Sequence, residues 1–375
     1  MEKYGIDPER QRKAKRYARM GRRLLLANLA LGTAFILAML FGLSSWLKRW
    51  LPISQPQAVL ALYFVAFFGA FKVLSAPLSY YRGYVLPHRF DLSVQSLGSW
   101  LADQAKGTAL GLILGLMAME AAYWLLSTFP SMWWLLAGLL YLLFSVILSN
   151  LAPILIIPLF FKFTPLKDEE LVERLKRLAE RAGTRVRGVF TLNLSTKTKT
   201  ANAALIGLGN TRRIVLGDTL LKDYDADEIE AILAHELGHH VHRDIWWGIV
   251  VQSAIILVGL FLTNLLLRWG VGRFGFAGLD DIAAFPLLAI GLGGWSVFTT
   301  PLANSYSRWR ERMADGYSLR ATAKPRAFIS AMAKLANQNL AEVDPSPWVE
   351  FLLYDHPSIA RRIRHAESFS PPNAS

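Results

Sequence analysis

Ala234-His235-Glu236-Leu237-Gly238-His239-His240 is the stretch that decides how this chain is read. It contains His-Glu-x-x-His, and its surroundings are helical in pattern. Asp225 and Glu228 form a capping box, and Ile229, Ile232 and Leu233 follow at helical spacing. On a helix His235 and His239 leave one face a turn apart, which suits two corners of a zinc tetrahedron. Glu236 is rotated by roughly 100°, too far to complete the same trio, yet placed to take a proton from a water that the metal activates. Five residues can match by accident. Here they follow directly on a capped amphipathic run, and a third ligand can be sought downstream.

The rest of the chain says where such a site would lie. Of 375 residues, 53% are hydrophobic and only 18% charged, with a mean hydropathy of +0.30. A soluble globule of this length carries more charge, so part of the chain belongs in lipid. Cysteine is absent, which excludes a disulfide framework, a thiolate metal site and a cysteine nucleophile. The net charge of +13 would by itself admit nucleic acid, but nine Lys/Arg fall within residues 1–23, directly before the apolar run Leu24–Leu43. Such a block is a cytoplasmic topology signal, and no nucleic-acid partner is expected. The apolar run is too long for a cleaved secretory signal and reads as a retained span.

Further spans are expected at about 58–78, 107–126, 132–160, 246–267 and 282–302. Trp46 and Trp50 sit in the turn after the first span as interfacial anchors. Between the fourth and fifth spans, Thr164-Pro165 opens a helix over Asp168–Ala182, with Leu171, Leu175 and Leu178 on one side. Strand-like runs follow at Val186–Leu192, Ala203–Leu208 and Arg213–Leu216, the last two joined by a Gly209-Asn210 turn. The expected fold is mainly α: a polytopic helical membrane protein of about six spans with an α+β block. Residues 1–161 form an N-terminal transmembrane region of four spans. Residues 162–375 form the catalytic domain, interrupted by the last two. An even number of spans returns both polar blocks, 161–244 and 305–375, to the side of the basic N-terminus. The short loops opposite carry few cations.

The third ligand is sought in Ser307-Arg308-Trp309-Arg310-Glu311-Arg312-Met313-Ala314-Asp315. Glu311 can offer a carboxylate oxygen, and Asp315, one turn on, can accept a hydrogen bond from a ligand imidazole. By residues alone an ordinary reading stays open, in which Glu311 pairs with Arg308 or Arg312 on a solvated helix.

Several dispersed blocks now carry a resemblance. They are Tyr81-Arg82-Gly83-Tyr84-Val85 with Arg89-Phe90-Asp91-Leu92, then 157–166, Thr200-Ala201-Asn202-Ala203, 213–220, the His-Glu helix, the Glu311–Asp315 segment, Asn339-Leu340 and His356-Pro357-Ser358. In this order they resemble the type I CAAX prenyl endopeptidase family, integral-membrane zinc proteases of the gluzincin group, from about residue 60 to 365. The resemblance implies a zincin-like metalloprotease domain holding one zinc ion on His235, His239 and Glu311, with Glu236 as general base. It also implies His356 as oxyanion stabiliser, Arg362, the arginine after that His-Pro, as a substrate-binding residue, and Asn202 as a second one, on an edge strand that receives the substrate backbone. His88, His240, His242 and His365 match nothing and are left out. Eukaryotic family members are described with seven spans, against the six counted here.

The implied function is a zinc endopeptidase acting on membrane-presented polypeptides, prenylated or not, in a bacterial inner membrane or the endoplasmic reticulum. Both termini and the catalytic domain are expected in the cytoplasm. A catalytically silent client-binding scaffold is the alternative, although it would tolerate loss of Glu236 or Glu311. A transporter, suggested by Lys72 and Glu120 inside predicted spans, would bring paired repeats that the sequence lacks. Lys72 and Glu120 either face a hydrated cavity, pair with each other, or reach an interface.

Overall fold

The computed structural model describes residues 2–51, 54–207 and 211–370. Among these, six helices are long and apolar enough to cross a membrane: Pro8–Arg49, Pro56–Arg89, Leu97–Thr128, Trp133–Leu159, Asp244–Phe274 and Ile282–Thr322.

 Each of the six predicted spans falls on one of them; the fourth, 132–160, exceeds its helix by one residue at each end, while the other five lie inside helices that extend beyond them. Phe285–Thr322 has 38 residues, about 57 Å at 1.5 Å per residue, against a hydrocarbon layer of roughly 30 Å. Its last turns, with Arg308, Glu311 and Asp315, therefore stand clear of lipid.

The expected turn after the first span is instead a kink followed by more helix. Gly42, at φ 140°, takes up the bend, and Ser44–Arg49 resumes the helix. The resumed turn is fastened to the sixth span: Ser44 Oγ donates to the Ala283 carbonyl at 2.7 Å, and Lys48 pairs with Asp281 at 2.8 Å. Trp46 and Trp50 are exposed there.

After the fourth span the chain enters a four-stranded sheet of order β1-β2-β4-β3, made of β1 (Phe163–Pro165), β2 (Val189–Leu192), β3 (Ala203–Ile206) and β4 (Arg213–Gly217). β1 and β3 pair antiparallel with their neighbours, while β2 and β4 run parallel. Thr164-Pro165 thus belongs to a strand and opens no helix. Proline lacks an N–H and is tolerated on an edge strand, and the helix Glu169–Arg181 starts later, capped by Asp168. The Gly209-Asn210 turn lies outside the described residues, but β3 and β4 pair as the two arms it was expected to join.

Two apolar clusters hold the molecule together. One joins Leu175 and Leu178, Ile214 and Leu216 of the sheet, Leu233 and Leu237 of the His-Glu helix, and Phe328 and Ile363 from the C-terminal helices. The other lies among the spans around Tyr63, Leu126, Trp133, Leu267 and Leu287. The basic N-terminus folds onto the last polar block, with Arg10 donating to the Asn337 carbonyl at 2.7 Å and Arg22 paired with Glu342 at 2.9 Å. The N-terminus and residues 305–370 therefore share one end of the bundle, as even parity requires. Lys72 and Glu120 do not pair. Lys72 is exposed beside the Phe68 ring, whereas Glu120 lines a cavity of about 630 Å³ with Lys48, Tyr123 and Asp281.

The His-Glu helix, Ala226–Val241, begins at the expected Asp225–Glu228 capping box and packs along the sixth span. Gly238 permits this approach: a Cβ there would stand 2.9 Å from the Ala314 Cα and 3.1 Å from its carbonyl oxygen, backbone atoms that cannot swing aside. Gly238→Ala should therefore cost about 1–3 kcal/mol, read as a lower thermal unfolding midpoint of the detergent-solubilised protein. An unchanged midpoint would mean that the two helices are free to separate.

Candidate metal centre

Two elements from distant parts of the chain make the centre. His235 and His239 project from the His-Glu helix, and Glu311 comes from the extended end of the sixth span. Their ligand atoms all lie within 4.8 Å of one another. The two Nε2 atoms are 3.2 Å apart, and Glu311 carboxylate oxygens lie 3.2 Å from His235 Nε2 and 3.3 Å from His239 Nε2. Two donors each about 2.05 Å from a tetrahedral ion stand about 3.3 Å apart.

The surrounding groups decide which nitrogens are free. His235 Nδ1 lies 2.8 Å from Asp315 Oδ1, and His239 Nδ1 lies 2.7 Å from Asp244 Oδ2. Each Nδ1–H donates to its carboxylate, so both Nε2 atoms present lone pairs to the same point. Two lone pairs and a carboxylate converging in a buried space repel unless a metal ion, or in the metal-free chain a proton, lies between them. Glu311 Oε2 is moreover buried with no hydrogen-bond partner. The residues fit a metal ion.

Asp315 has the place expected of it, and Arg362 holds it there with two hydrogen bonds, Nη2 to Oδ1 at 2.6 Å and Nε to Oδ2 at 3.0 Å. Arg362 had been linked to substrate. The structure directs its guanidinium to Asp315 and places it 3.3 Å from His235 Nδ1, behind the ligand. Asp244 and Arg310 were missed. Asp244 opens the fifth span and receives both His239 and Arg310, while Arg310 also donates to the His242 carbonyl at 2.5 Å. The available signal was an acid five residues beyond a ligand histidine, at a helix start, where an acid is ordinary for other reasons.

Glu236 is half-buried, and its carboxylate has no hydrogen-bond or ion-pair partner among the described residues. His356 Nε2 lies 3.3 Å from Glu311 Oε1, and its Nδ1 donates to Asp355 at 2.8 Å. That bond to Asp355 raises the His356 pKa above the usual imidazole value, against burial and with help from Glu311. The loop bearing His356 is clamped by buried Arg308, one turn before Glu311. Arg308 donates to the carbonyls of Glu350 at 3.0 Å and Tyr354 at 2.5 Å. Asn202 is exposed immediately before β3, an edge strand that packs against the His-Glu helix. None of His88, His240, His242 and His365 joins the ligand cluster.

A polytopic bundle whose last span lowers a carboxylate onto a His-Glu-x-x-His helix defines a membrane-embedded metalloprotease. Comparison with known proteins agrees. A family model described as peptidase family M48 matches residues 165–370, and one described as the CAAX prenyl protease N-terminal region, with five membrane helices, matches residues 2–162. This chain belongs to peptidase family M48. Four candidate spans lie within the second match among the described residues. An uncharacterised metalloprotease of Bacillus subtilis, YhfN, is 33% identical over 339 residues, covering 89% of this chain and 79% of the relative. CAAX prenyl protease 1 of Saccharomyces cerevisiae is 28% identical over 397 residues, covering 96% and 86%. The crystal structure of S. mikatae Ste24p superposes with a TM-score of 0.86 at 24% identity, covering 96% of this chain and 90% of that one, a likeness of fold. The protein is thus a multi-pass membrane metalloprotease that acts on polypeptides.

Two outcomes follow from the ligand surroundings. Removing the acceptor behind His239, in Asp244→Ala, should lower metal affinity about 10- to 100-fold, measured by chelator competition. An unchanged affinity would show that Asp244 orients nothing. Acidity should act in the same direction. Burial disfavours a charge on His239, but hydrogen bonds to Asp244 and Glu311 outweigh it and lift its pKa to about 10 in the metal-free chain. Below that pH the metal must displace a proton, so its apparent affinity rises with pH and falls on acidification, by about tenfold per unit for each proton displaced. Affinities that agree at pH 6.5 and pH 8 would contradict this.

Proposed function

We propose that the chain is a zinc endopeptidase that hydrolyses peptide bonds of polypeptides presented at the cytoplasmic face of a membrane. The observation that carries this is the convergence of His235 Nε2, His239 Nε2 and a Glu311 oxygen, the two imidazoles backed by Asp315 and Asp244. Two imidazoles and one carboxylate suit zinc, and such a set leaves a fourth position for water or substrate. Zinc bound there would supply Lewis acidity, polarising a peptide carbonyl and lowering the pKa of water to about 7.

The chain's own residues do the rest. Glu236, unpaired beside the ligands, takes the proton of the attacking water and returns it to the departing amine. His356, carrying a proton held by Asp355, donates a hydrogen bond to the oxygen of the tetrahedral carbon. Asp315 and Asp244 hold the ligand rings in the tautomer that leaves Nε2 free, and Arg362 fixes Asp315. Asn202 and β3 offer the substrate an unpaired strand edge, a mode of binding that reads backbone before side chains. Residues 162–375 act as the catalytic unit, framed by spans in 1–161, with both termini on the catalytic side.

Relatives named CAAX prenyl proteases support a prenylated C-terminal tail as one substrate class, and the long helices framing the site support other membrane-presented chains as a second. Zinc content and cleavage of a farnesylated and an unmodified peptide test the proposal together. Glu236→Gln should keep zinc and lose about 10²- to 10⁴-fold in kcat. Equal rates for variant and parent would refute Glu236 as base, and a parent that holds zinc without cutting would favour a client-binding scaffold. Cleavage restricted to the farnesylated peptide would select the first substrate class.

A further inference from the structure

Where the His-Glu helix ends and the fifth span begins, the chain encloses a cavity of about 540 Å³. His239 forms part of its lining, so the cavity opens beside the metal centre. Arg212, immediately before β4, and Arg243, from the junction itself, also line it, together with His240, Trp246 and Trp247.

The charges in this lining do not cancel. Arg243 is exposed, and its guanidinium makes no hydrogen bond or ion pair with any described residue. Arg212 donates to the Thr184 hydroxyl at 2.8 Å, and its guanidinium meets no carboxylate among the described residues. The one acid in the lining, Asp244, is already held between His239 and Arg310. Two guanidinium groups therefore face the space without a counter-charge, in the planar geometry that binds carboxylates through paired N–H donors. The lining is also aromatic. Trp246 and Trp247 are 52% and 55% exposed in the first turn of an apolar span, the level at which tryptophan meets the membrane surface. An occupant that satisfies both parts of the lining carries an anionic group next to an apolar one.

We infer that this cavity is the subsite for an acidic substrate residue near the scissile bond. The enzyme then prefers polypeptides with Asp or Glu beside an apolar segment at the membrane surface, and Arg212 and Arg243 set that preference. This deepens the peptidase reading and rests on it. Two readouts keep their failures apart: turnover, and binding of labelled peptides to the full-length zinc-loaded protein.

Peptides of one sequence are compared with Glu or Gln at each of the four positions on either side of the cleaved bond, in phosphatidylcholine vesicles. At one position, Glu should be favoured over Gln about 10- to 100-fold, the range of a charged hydrogen-bonded contact, in kcat/KM and in affinity. Arg243→Gln and Arg212→Gln should each shrink that ratio, and Arg243→Glu should invert it toward a Lys peptide. Because each ratio is internal to one variant, loss of overall activity does not mimic the result. A Glu preference in binding with no turnover would uphold the subsite and refute the peptidase. Equal binding of Glu and Gln peptides at every position overturns the inference, as does a preference that survives both arginine variants. Inhibition by phosphatidylglycerol that requires Arg243, without any Glu preference, assigns the cavity to a lipid headgroup and overturns it too.

Discussion

Two imidazole lone pairs 3.2 Å apart, with a buried carboxylate closing the triangle, form the constraint on which the rest of the structure depends. Such an arrangement is repulsive when fully deprotonated and becomes favourable with a metal ion, or in its absence a proton, at its centre. The surrounding chain enforces it from behind. Asp315 and Asp244 fix the rings through Nδ1, and Arg362 and Arg310 fix the two aspartates in turn. Charge alternates outward from the centre, so Asp315 and Asp244 each have a partner of opposite sign, as burial in a low dielectric demands.

The membrane helices act as levers on this centre. The sixth span, far longer than lipid requires, carries Glu311 out to the His-Glu helix, and the same extension bears Arg308, which clamps the His356 loop. The fifth span begins at Asp244, the partner of His239. Both helices that leave the bilayer beside the site thus contribute groups to it, and Gly238 sets how closely the sixth span can approach. A shift of either helix would move a ligand or its support, which couples the bundle's packing to the metal geometry.

Most of this architecture was legible in the sequence, for physical reasons that differ by element. Spans announce themselves by apolar length, and the His-Glu helix by its capping box and period; both signals are local. Glu311 was reachable only because the topology rule placed two polar blocks on one side, leaving that block to supply a third ligand. Three features were not legible. Thr164-Pro165 looked like a helix start because proline favours one, and only pairing with β2, distant in sequence, makes it a strand. Gly42 bends the chain inside the predicted first span, and helix resumes at Ser44 where composition suggested a turn. Asp244 and Arg310 lie 66 positions apart, and no local pattern distinguishes their partnership from ordinary charges at helix ends. Arg362 was singled out by resemblance, but its placement behind Asp315 is a tertiary fact.

X-ray absorption at the zinc edge of the purified full-length protein measures the central constraint most directly. The predicted spectrum has two imidazole nitrogens and at least one carboxylate oxygen about 2.0–2.2 Å from one zinc ion per chain, with the oxygen contribution altered in Glu311→Ala. Zinc surrounded by other donors, or a spectrum indifferent to Glu311, would contradict it.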